Sequence, residues 1–257
     1  MAKNSEWNRN VGISLYRFES DNAPHFKDSI TELFEKNLIY LNERSQLNDP
    51  FDTNPVLIGS IKPTDIHELV KRNTNENRVN RRKKIKNLDK LNGYFDRNFN
   101  SVFDSYGIKC FSRTMNNILM WSHYANSHRG ICIEFKPKPK SPISFNVPVI
   151  YSTERPIVER YIISNKGDER INRQATILLR SKAIDWAYEE EQRVIAFEMA
   201  KKKILIDPDE INSVTFGVKS SSDLIDFISN LNKSTKKVPL HRLKISQNKF
   251  SFEKEKI

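Results

Sequence analysis

Apolar and polar positions follow two different periods in the N-terminal part of the chain. Residues 12–18, GISLYRF, alternate with the period of two that is typical of a half-buried strand. Between residues 24 and 34, apolar side chains recur every three or four positions, which predicts an amphipathic helix. Residues 37–42, NLIYLN, predict a second strand. The chain is therefore expected to open with a strand, a helix and a strand.

The stretch 118–135, ILMWSHYANSHRGICIEF, predicts a helix, a turn and, at 131–135, a buried strand. Gly130 is expected to stop the helix, and His123 and His128 lie in the turn. Their spacing of five differs from the i, i+4 pair of a helical zinc site, and we assign no metal ligands. The two histidines either hydrogen-bond the backbone and hold the turn or take part in catalysis.

The remaining pattern mixes strands and helices. Together these segments predict an α+β fold, with a mixed, largely antiparallel sheet and flanking helices. Strands are expected at 107–112, 147–152, 194–197, 204–206 and 214–217 and in a closing hairpin over 238–252, and helices at 154–165, 172–184 and 222–231.

Length and charge suggest one domain with a basic insertion. The 257 residues (1–257) show no break in composition, and we expect a helical insertion at about 63–106. The net charge is +11, and residues 70–99 contain ten basic and three acidic side chains. Such clustering predicts nucleic-acid binding or an acidic protein partner, and a solvated helix or a mobile insertion is the alternative. The predicted nucleic-acid-binding residues are Arg78, Arg81, Arg82, Lys83, Lys84 and Lys86.

Cysteine content and hydropathy bear on the cellular location of the protein. The two cysteines, Cys110 and Cys132, lie in apolar strand-like segments, which favours buried thiols in a reducing cytoplasm. No apolar run approaches the length of a membrane span. We therefore expect a soluble cytoplasmic protein that does not contact a membrane.

The segment 182–197, KAIDWAYEEEQRVIAF, contains the densest acidic pattern. In an extended chain Glu189, Glu191 and Arg193 would share one face. Two acids on one face are unfavourable unless a cation or a hydroxyl-rich ligand engages them. The alternative is an exposed acidic cap that Arg193 balances.

Several motifs together resemble a widespread bacterial family that is known only as a domain of unknown function. The resemblance covers about residues 13–252, and it departs from the family pattern at Gln192, where an aromatic residue is expected. The motifs that carry it are LYRF at 15–18, NDPFD at 48–52, LMWSHYA at 119–125 with His128 and Gly130, and Trp186 with Tyr188, Glu189, Glu191 and Arg193.

The order of these motifs is similar to that of the ADP-ribosyltransferase fold. That resemblance implies an enzyme that uses NAD as cosubstrate and modifies a nucleic-acid or protein target in a bacterial toxin or phage-defence setting. It implies that a late glutamate stabilises the oxocarbenium-like state, and we prefer Glu191 to Glu189 for this role. The implied catalytic residues are Glu191, Glu189 and His123, and the implied cofactor-binding residues are Tyr16, Arg17, Asn48, Asp49 and Tyr124.

Two other classes of function stay open. A metal-dependent nuclease would bind nucleic acid through residues 70–99 and a divalent ion through carboxylates, namely Asp49, Asp52, Glu189 and Glu191. A plain interaction protein would use the basic segment to bind an acidic partner. The sequence contains no dinucleotide-binding GxGxxG, P-loop, HExxH, nucleophile elbow or CxxC motif.

Overall fold

The computed structural model describes residues 10–59, 88–159 and 175–257. The helices are α1 (Phe26–Lys36), α2 (Leu88–Asp104), α3 (Ile118–Tyr124) and α4 (Ser222–Ser234), with 3-10 helices at Arg44–Gln46, Pro142–Phe145, Ile184–Glu189 and Pro208–Glu210. The strands are β1 (Leu15–Glu19), β2 (Leu38–Tyr40), β3 (Val56–Ile58), β4 (Gly107–Ser112), β5 (Ile131–Phe135), β6 (Val147–Pro148), β7 (Ile150–Ser152), β8 (Ile157–Glu159), β9 (Ser181–Ala183), β10 (Glu191–Ala196), β11 (Lys203–Leu205), β12 (Ile211–Phe216), β13 (Leu240–Ile245) and β14 (Phe252–Lys256).

An eight-stranded sheet dominates the described part of the chain. Its order is β14-β13-β12-β5-β1-β4-β10-β6. Neighbouring strands run antiparallel except β12 and β13, which are parallel and are connected through α4. The α+β fold with a mixed, largely antiparallel sheet is thus confirmed.

Helices cover both faces of this sheet. The apolar side of α1, including Leu33 and Phe34, and the buried side of α4 pack on the face that presents Leu15, Ile133 and Val214. On the opposite face α3 buries Trp121 completely, and the ring centroid of Phe18 lies 5.2 Å from that of Trp121. Burial of these apolar side chains is the main force that holds the helices on the sheet.

The sheet is open between β1 and β4. Their register contains one residue pair, Tyr16 with Ser112. Further along β4, Asn42 replaces β1 as the neighbour: its amide and carbonyl exchange hydrogen bonds of 2.8 Å with the carbonyl and amide of Ile108. The two pairings leave a window in the sheet between Ser112 and Ile108.

Some sequence-based boundaries are confirmed and others are wrong. The strands predicted at 107–112 and 131–135 have the observed bounds. Residues 157–159 and 181–183 form β8 and β9 although helices were predicted there, because each strand pairs in parallel with a distant strand, β3 or β7. Pairing with remote segments cannot be inferred from local periodicity.

Gly130 has a different role from the predicted helix stop. The helix α3 already ends at Tyr124, and residues 126–128 then adopt left-handed backbone conformations. A Cβ atom at Gly130 would overlap the carbonyl oxygen of Glu19. Gly130 is therefore required for close packing of the turn on β1.

The predicted basic insertion falls mostly outside the described residues, and its described part is α2. In the three described ranges, none of the helices combines the length and the apolar composition needed to cross a membrane.

Candidate functional site

Two buried glutamates lie where the 3-10 helix at Ile184–Glu189 meets β10. Between them Glu190 has a left-handed backbone with a φ of 45°, which turns the chain so that both of its neighbours face inward. Glu189 is 3% exposed and Glu191 is 4% exposed, whereas Glu190 is exposed. The fold thus buries together the two acids that the sequence indicated.

Two cations contact this pair of glutamates. Lys182 Nζ lies 2.5 Å from Glu189 Oε2 and 3.1 Å from Glu191 Oε2. Arg193 binds Glu191 through Nε at 2.7 Å and binds both oxygens of Asp52 through its terminal nitrogens, at 2.9 and 2.6 Å. Three acids and two cations therefore form one buried ion cluster, which we call the β10 cluster: Asp52, Lys182, Glu189, Glu191 and Arg193.

A hydrogen-bonded chain connects the β10 cluster to two other predicted residues. The Tyr124 hydroxyl donates to Glu189 Oε1 at 2.6 Å, and the Asn48 side-chain amide donates to that hydroxyl oxygen at 3.2 Å. Asn48, Tyr124 and Glu189 come from three separate segments of the chain. Their convergence orients one carboxylate oxygen of Glu189 toward Tyr124.

The two glutamates have opposite electrostatic environments. Burial alone would raise the pKa of the Glu191 carboxyl, but Arg193 and Lys182 outweigh burial and lower this pKa to about 2. At Glu189, burial and the neighbouring Glu191 raise the pKa despite the contact with Lys182. Glu191 is therefore a fixed anion that is held by cations, whereas the charge of Glu189 is more readily altered.

A cavity of about 320 Å³ occupies the window between β1 and β4. This volume is at the lower end of the range of about 300–1,000 Å³ that is usual for small-molecule sites. Six of the predicted site residues line it: Tyr16, Arg17, Asn48, Tyr124, Glu189 and Glu191.

Strand alternation gives this cavity an acidic and a basic side. Tyr16, Ser112 and Glu191 are register partners and share one face of the sheet. Arg17 is one residue from Tyr16 on β1, and Lys109 is three residues from Ser112 on β4. Both side chains therefore lie on the opposite face of the sheet, and both line the cavity. Arg17 forms an ion pair with Glu19 on the same strand.

A second cavity adjoins the first. Its volume is about 880 Å³, and it shares Arg17 and Gln46 with the first cavity. Leu38 and Tyr40 of β2 contribute to its wall. A ligand larger than the first cavity could therefore extend past Arg17.

The remaining predicted site residues do not line the first cavity. Asp49 accepts a hydrogen bond of 2.9 Å from the Phe51 amide and holds a turn. The exposed His123 lies with Nδ1 3.0 Å from the Tyr188 hydroxyl, next to Tyr124 but outside the cavity wall. The six predicted nucleic-acid-binding residues, Arg78 to Lys86, lie outside the described part of the chain.

Two lysines of the site were not among the predicted site residues. Lys182 is buried on β9, but its sequence context resembles that of an exposed lysine, so no local signal indicated it. Lys109 carried a signal, because it is a single charge within the buried strand segment GIKCFS. A charged residue inside such a segment indicates a special environment.

The environments of the two cysteines predict different thiol reactivities. Cys132 is buried, whereas Cys110 is only partly buried because it lines the cavity. Burial raises the pKa of both thiols well above the usual range. In native protein we expect a maleimide to modify Cys110 slowly and Cys132 only after unfolding, as measured by mass spectrometry. Cys110→Ala and Cys132→Ala variants assign the signals, and native modification of Cys132 before Cys110 would contradict this placement.

Within the described ranges, no group of three or more His, Cys, Asp or Glu residues is arranged to hold a metal ion. Asp52, Glu189 and Glu191, which were considered as metal ligands, instead contact Lys182 and Arg193. The positive charges beside these carboxylates are thus supplied by the protein.

The fold and the site define an α+β protein with a buried ion cluster beside a ligand-sized cavity. A family model described as a protein of unknown function (DUF2971) matches residues 120–194, so the resemblance to a domain-of-unknown-function family is confirmed over that range. The match contains Tyr124, Lys182 and the Glu189–Arg193 segment. No curated protein and no solved structure gives a significant match to the chain.

Proposed function

We propose that the protein is an ADP-ribosyltransferase-like enzyme that cleaves the nicotinamide–ribose bond of NAD in the cavity between β1 and β4. The observation that carries this proposal is the convergence of a buried carboxylate, Glu189, with Tyr124 and Asn48 at a cavity whose other face presents Arg17 and Lys109. The anionic diphosphate of NAD matches the basic side of the cavity, and the ribose that becomes cationic during the reaction matches the acidic side.

Glu189 is the acid that the geometry favours for the reaction. Both oxygens of Glu191 accept hydrogen bonds from Arg193, and one also contacts Lys182, which leaves little capacity to stabilise a new positive charge. Glu189 instead has one oxygen toward Lys182 and one toward the Tyr124 hydroxyl at the cavity. We therefore assign the electrostatic role to Glu189 and a supporting role to Glu191.

The proposed step requires no metal ion. The bond between the ribose C1′ and the nicotinamide nitrogen breaks, and its electron pair leaves with the now neutral nicotinamide. Positive charge develops on the ribose, and the Glu189 carboxylate stabilises it in a site where little water competes. A nucleophile of the target then attacks C1′ and loses its proton.

The experiment that tests this function is incubation of the 257-residue protein with NAD, with and without candidate protein or nucleic-acid targets and with and without a chelator. Nicotinamide is measured by chromatography and target mass by mass spectrometry. Nicotinamide release that survives chelation is the expected result. Chelator-sensitive strand cleavage without nicotinamide release would reject the transferase in favour of a nuclease.

The basic segment is proposed to bind the target, on the basis of its charge. Replacing Arg81, Arg82, Lys83 and Lys84 with Gln should weaken nucleic-acid binding and should flatten its salt dependence, because each phosphate contact on duplex DNA contributes about 0.9 to the slope. The melting temperature should stay unchanged because the segment has few apolar residues. Fluorescence anisotropy over a salt series measures the slope, and an unaltered slope would exclude a nucleic-acid footprint here.

A further inference from the structure

Lys109 is a buried lysine whose amine forms no ion pair with an acidic side chain in the described part of the chain. It lies in the middle of β4, is 9% exposed and lines the cavity. Among the described residues, no hydrogen bond to its amine is found, and Glu19, the acid that acts on it electrostatically, is instead paired with Arg17. Lysine is rarely buried without a partner, because desolvation of an ammonium group is strongly unfavourable. A lysine in this position therefore needs an explanation beyond packing.

The surroundings of Lys109 leave the charge of its ammonium form without full compensation by the protein. Burial, together with the positive charge of Arg17, lowers its pKa to about 7, although Glu19 acts in the opposite direction. Arg17 is already engaged with Glu19, so this wall has a net charge of one positive unit when Lys109 is protonated. A bound anion would supply the missing counter-charge and would favour the protonated amine.

We propose that Lys109, together with Arg17, binds the diphosphate group of the dinucleotide. This inference rests on the proposed function for the identity of the ligand, but the anion site stands on the position of Lys109. The nicotinamide riboside half would face Glu189 and Tyr124. The adenosine half would pass Arg17 into the larger adjoining cavity, since the first cavity, of about 320 Å³, is small for a whole dinucleotide.

Calorimetric titration with inorganic pyrophosphate, ADP-ribose and nicotinamide riboside tests this assignment. Lys109→Met keeps the length and apolar character of the buried stem and removes the charge. It should weaken binding of pyrophosphate and ADP-ribose at least about tenfold, the scale of one charge-assisted hydrogen bond. Binding of the phosphate-free nicotinamide riboside should be unchanged. The control Lys244→Met removes an exposed lysine on β13 of the same sheet and should have no effect.

A second measurement in wild-type protein keeps the test independent of variant folding. Pyrophosphate should protect Lys109 from reductive methylation by formaldehyde, as read by peptide mass spectrometry, while Lys244 stays reactive. Absence of protection, or equal pyrophosphate affinity in Lys109→Met and wild type, would overturn the anion site. Protection of Lys109 without nicotinamide release from NAD would retain the anion site and reject the transferase, so the two failures are distinguishable.

Discussion

Glu189→Gln is expected to lower the rate of nicotinamide release from NAD by on the order of 10²-fold or more, the loss that follows removal of one electrostatic stabiliser. The variant should remain folded, because the β10 cluster then contains two acids and two cations instead of three acids and two cations. Initial rates by chromatography and urea unfolding curves give the two quantities. A rate within the range of wild type would remove Glu189 from the mechanism.

Neighbouring glutamates provide matched controls for this substitution. Glu190→Gln changes an exposed side chain one position away and should leave both activity and stability unaltered. Glu191→Gln should chiefly destabilise the protein, because it removes the carboxylate that Arg193 and Lys182 share. The opposite result would be a Glu191→Gln variant that is fully stable but inactive and a Glu189→Gln variant that is destabilised but active. In that case Glu191 would have the electrostatic role in catalysis and Glu189 the supporting role.

The pH profile offers a further check on Glu189. The carboxylate must be ionised to stabilise a cation, and its pKa is raised above the ordinary value of 4.5. Activity should therefore be present above this raised pKa and should be lost as the pH falls through it, at a higher pH than an unperturbed glutamate would cause. Circular dichroism spectra recorded at each pH show whether the protein is still folded where the rate falls. This separates the titration of Glu189 from acid unfolding.

Arg193→Met is expected to cause the largest loss of stability, about 3–5 kcal/mol, the scale of breaking one partner out of a buried ion pair. Arg193 is 0% exposed and donates to Asp52, Glu191 and the Leu179 carbonyl. Its removal leaves three buried acids with Lys182 as their cation. Urea unfolding followed by tryptophan fluorescence measures the loss.

Arg113→Met is the matched control for that experiment, since Arg113 is an exposed arginine just after β4. Its free energy of unfolding should stay within about 0.5 kcal/mol of wild type, as is usual for surface substitutions. Adding Asp52→Asn to Arg193→Met should restore part of the lost stability, because fewer uncompensated acids then remain buried. Equal stabilities of Arg193→Met and Arg113→Met would mean that the cluster contributes little to the fold.

Local pattern was sufficient for much of the fold because several strands are locally determined. The segments GIKCFS and ICIEF are short, apolar and bounded by turns, and their limits were predicted as they are observed. The strands β8 and β9 were missed because their existence depends on pairing with β3 and β7. Long-range pairing of this kind leaves no periodic signature in a three-residue segment.

The sequence was sufficient to indicate many residues of the candidate site but not the ion pairs that they form. Tyr16, Arg17, Asn48, Tyr124 and the two acids converge on the cavity, and each was indicated by its motif. The sequence could not show that Lys182 would cross from β9 to both glutamates. That contact depends on the left-handed turn at Glu190, which no local preference of glutamate predicts.

The window in the sheet leaves one peptide group of β4 without a partner strand, so that its amide hydrogen is in a position to exchange with solvent. The Arg113 amide donates to Glu190, so odd-numbered residues of β4 direct their peptide groups to β10 and even-numbered residues direct theirs away. Ser112 and Ile108 meet Tyr16 and Asn42 on that side, whereas the register of the described strands gives Cys110 no partner there. The Cys110 amide therefore lies in the middle of a sheet and yet resembles the unpaired amide of an edge strand. Its deuterium uptake should report, at a single backbone site, when a ligand occupies the window.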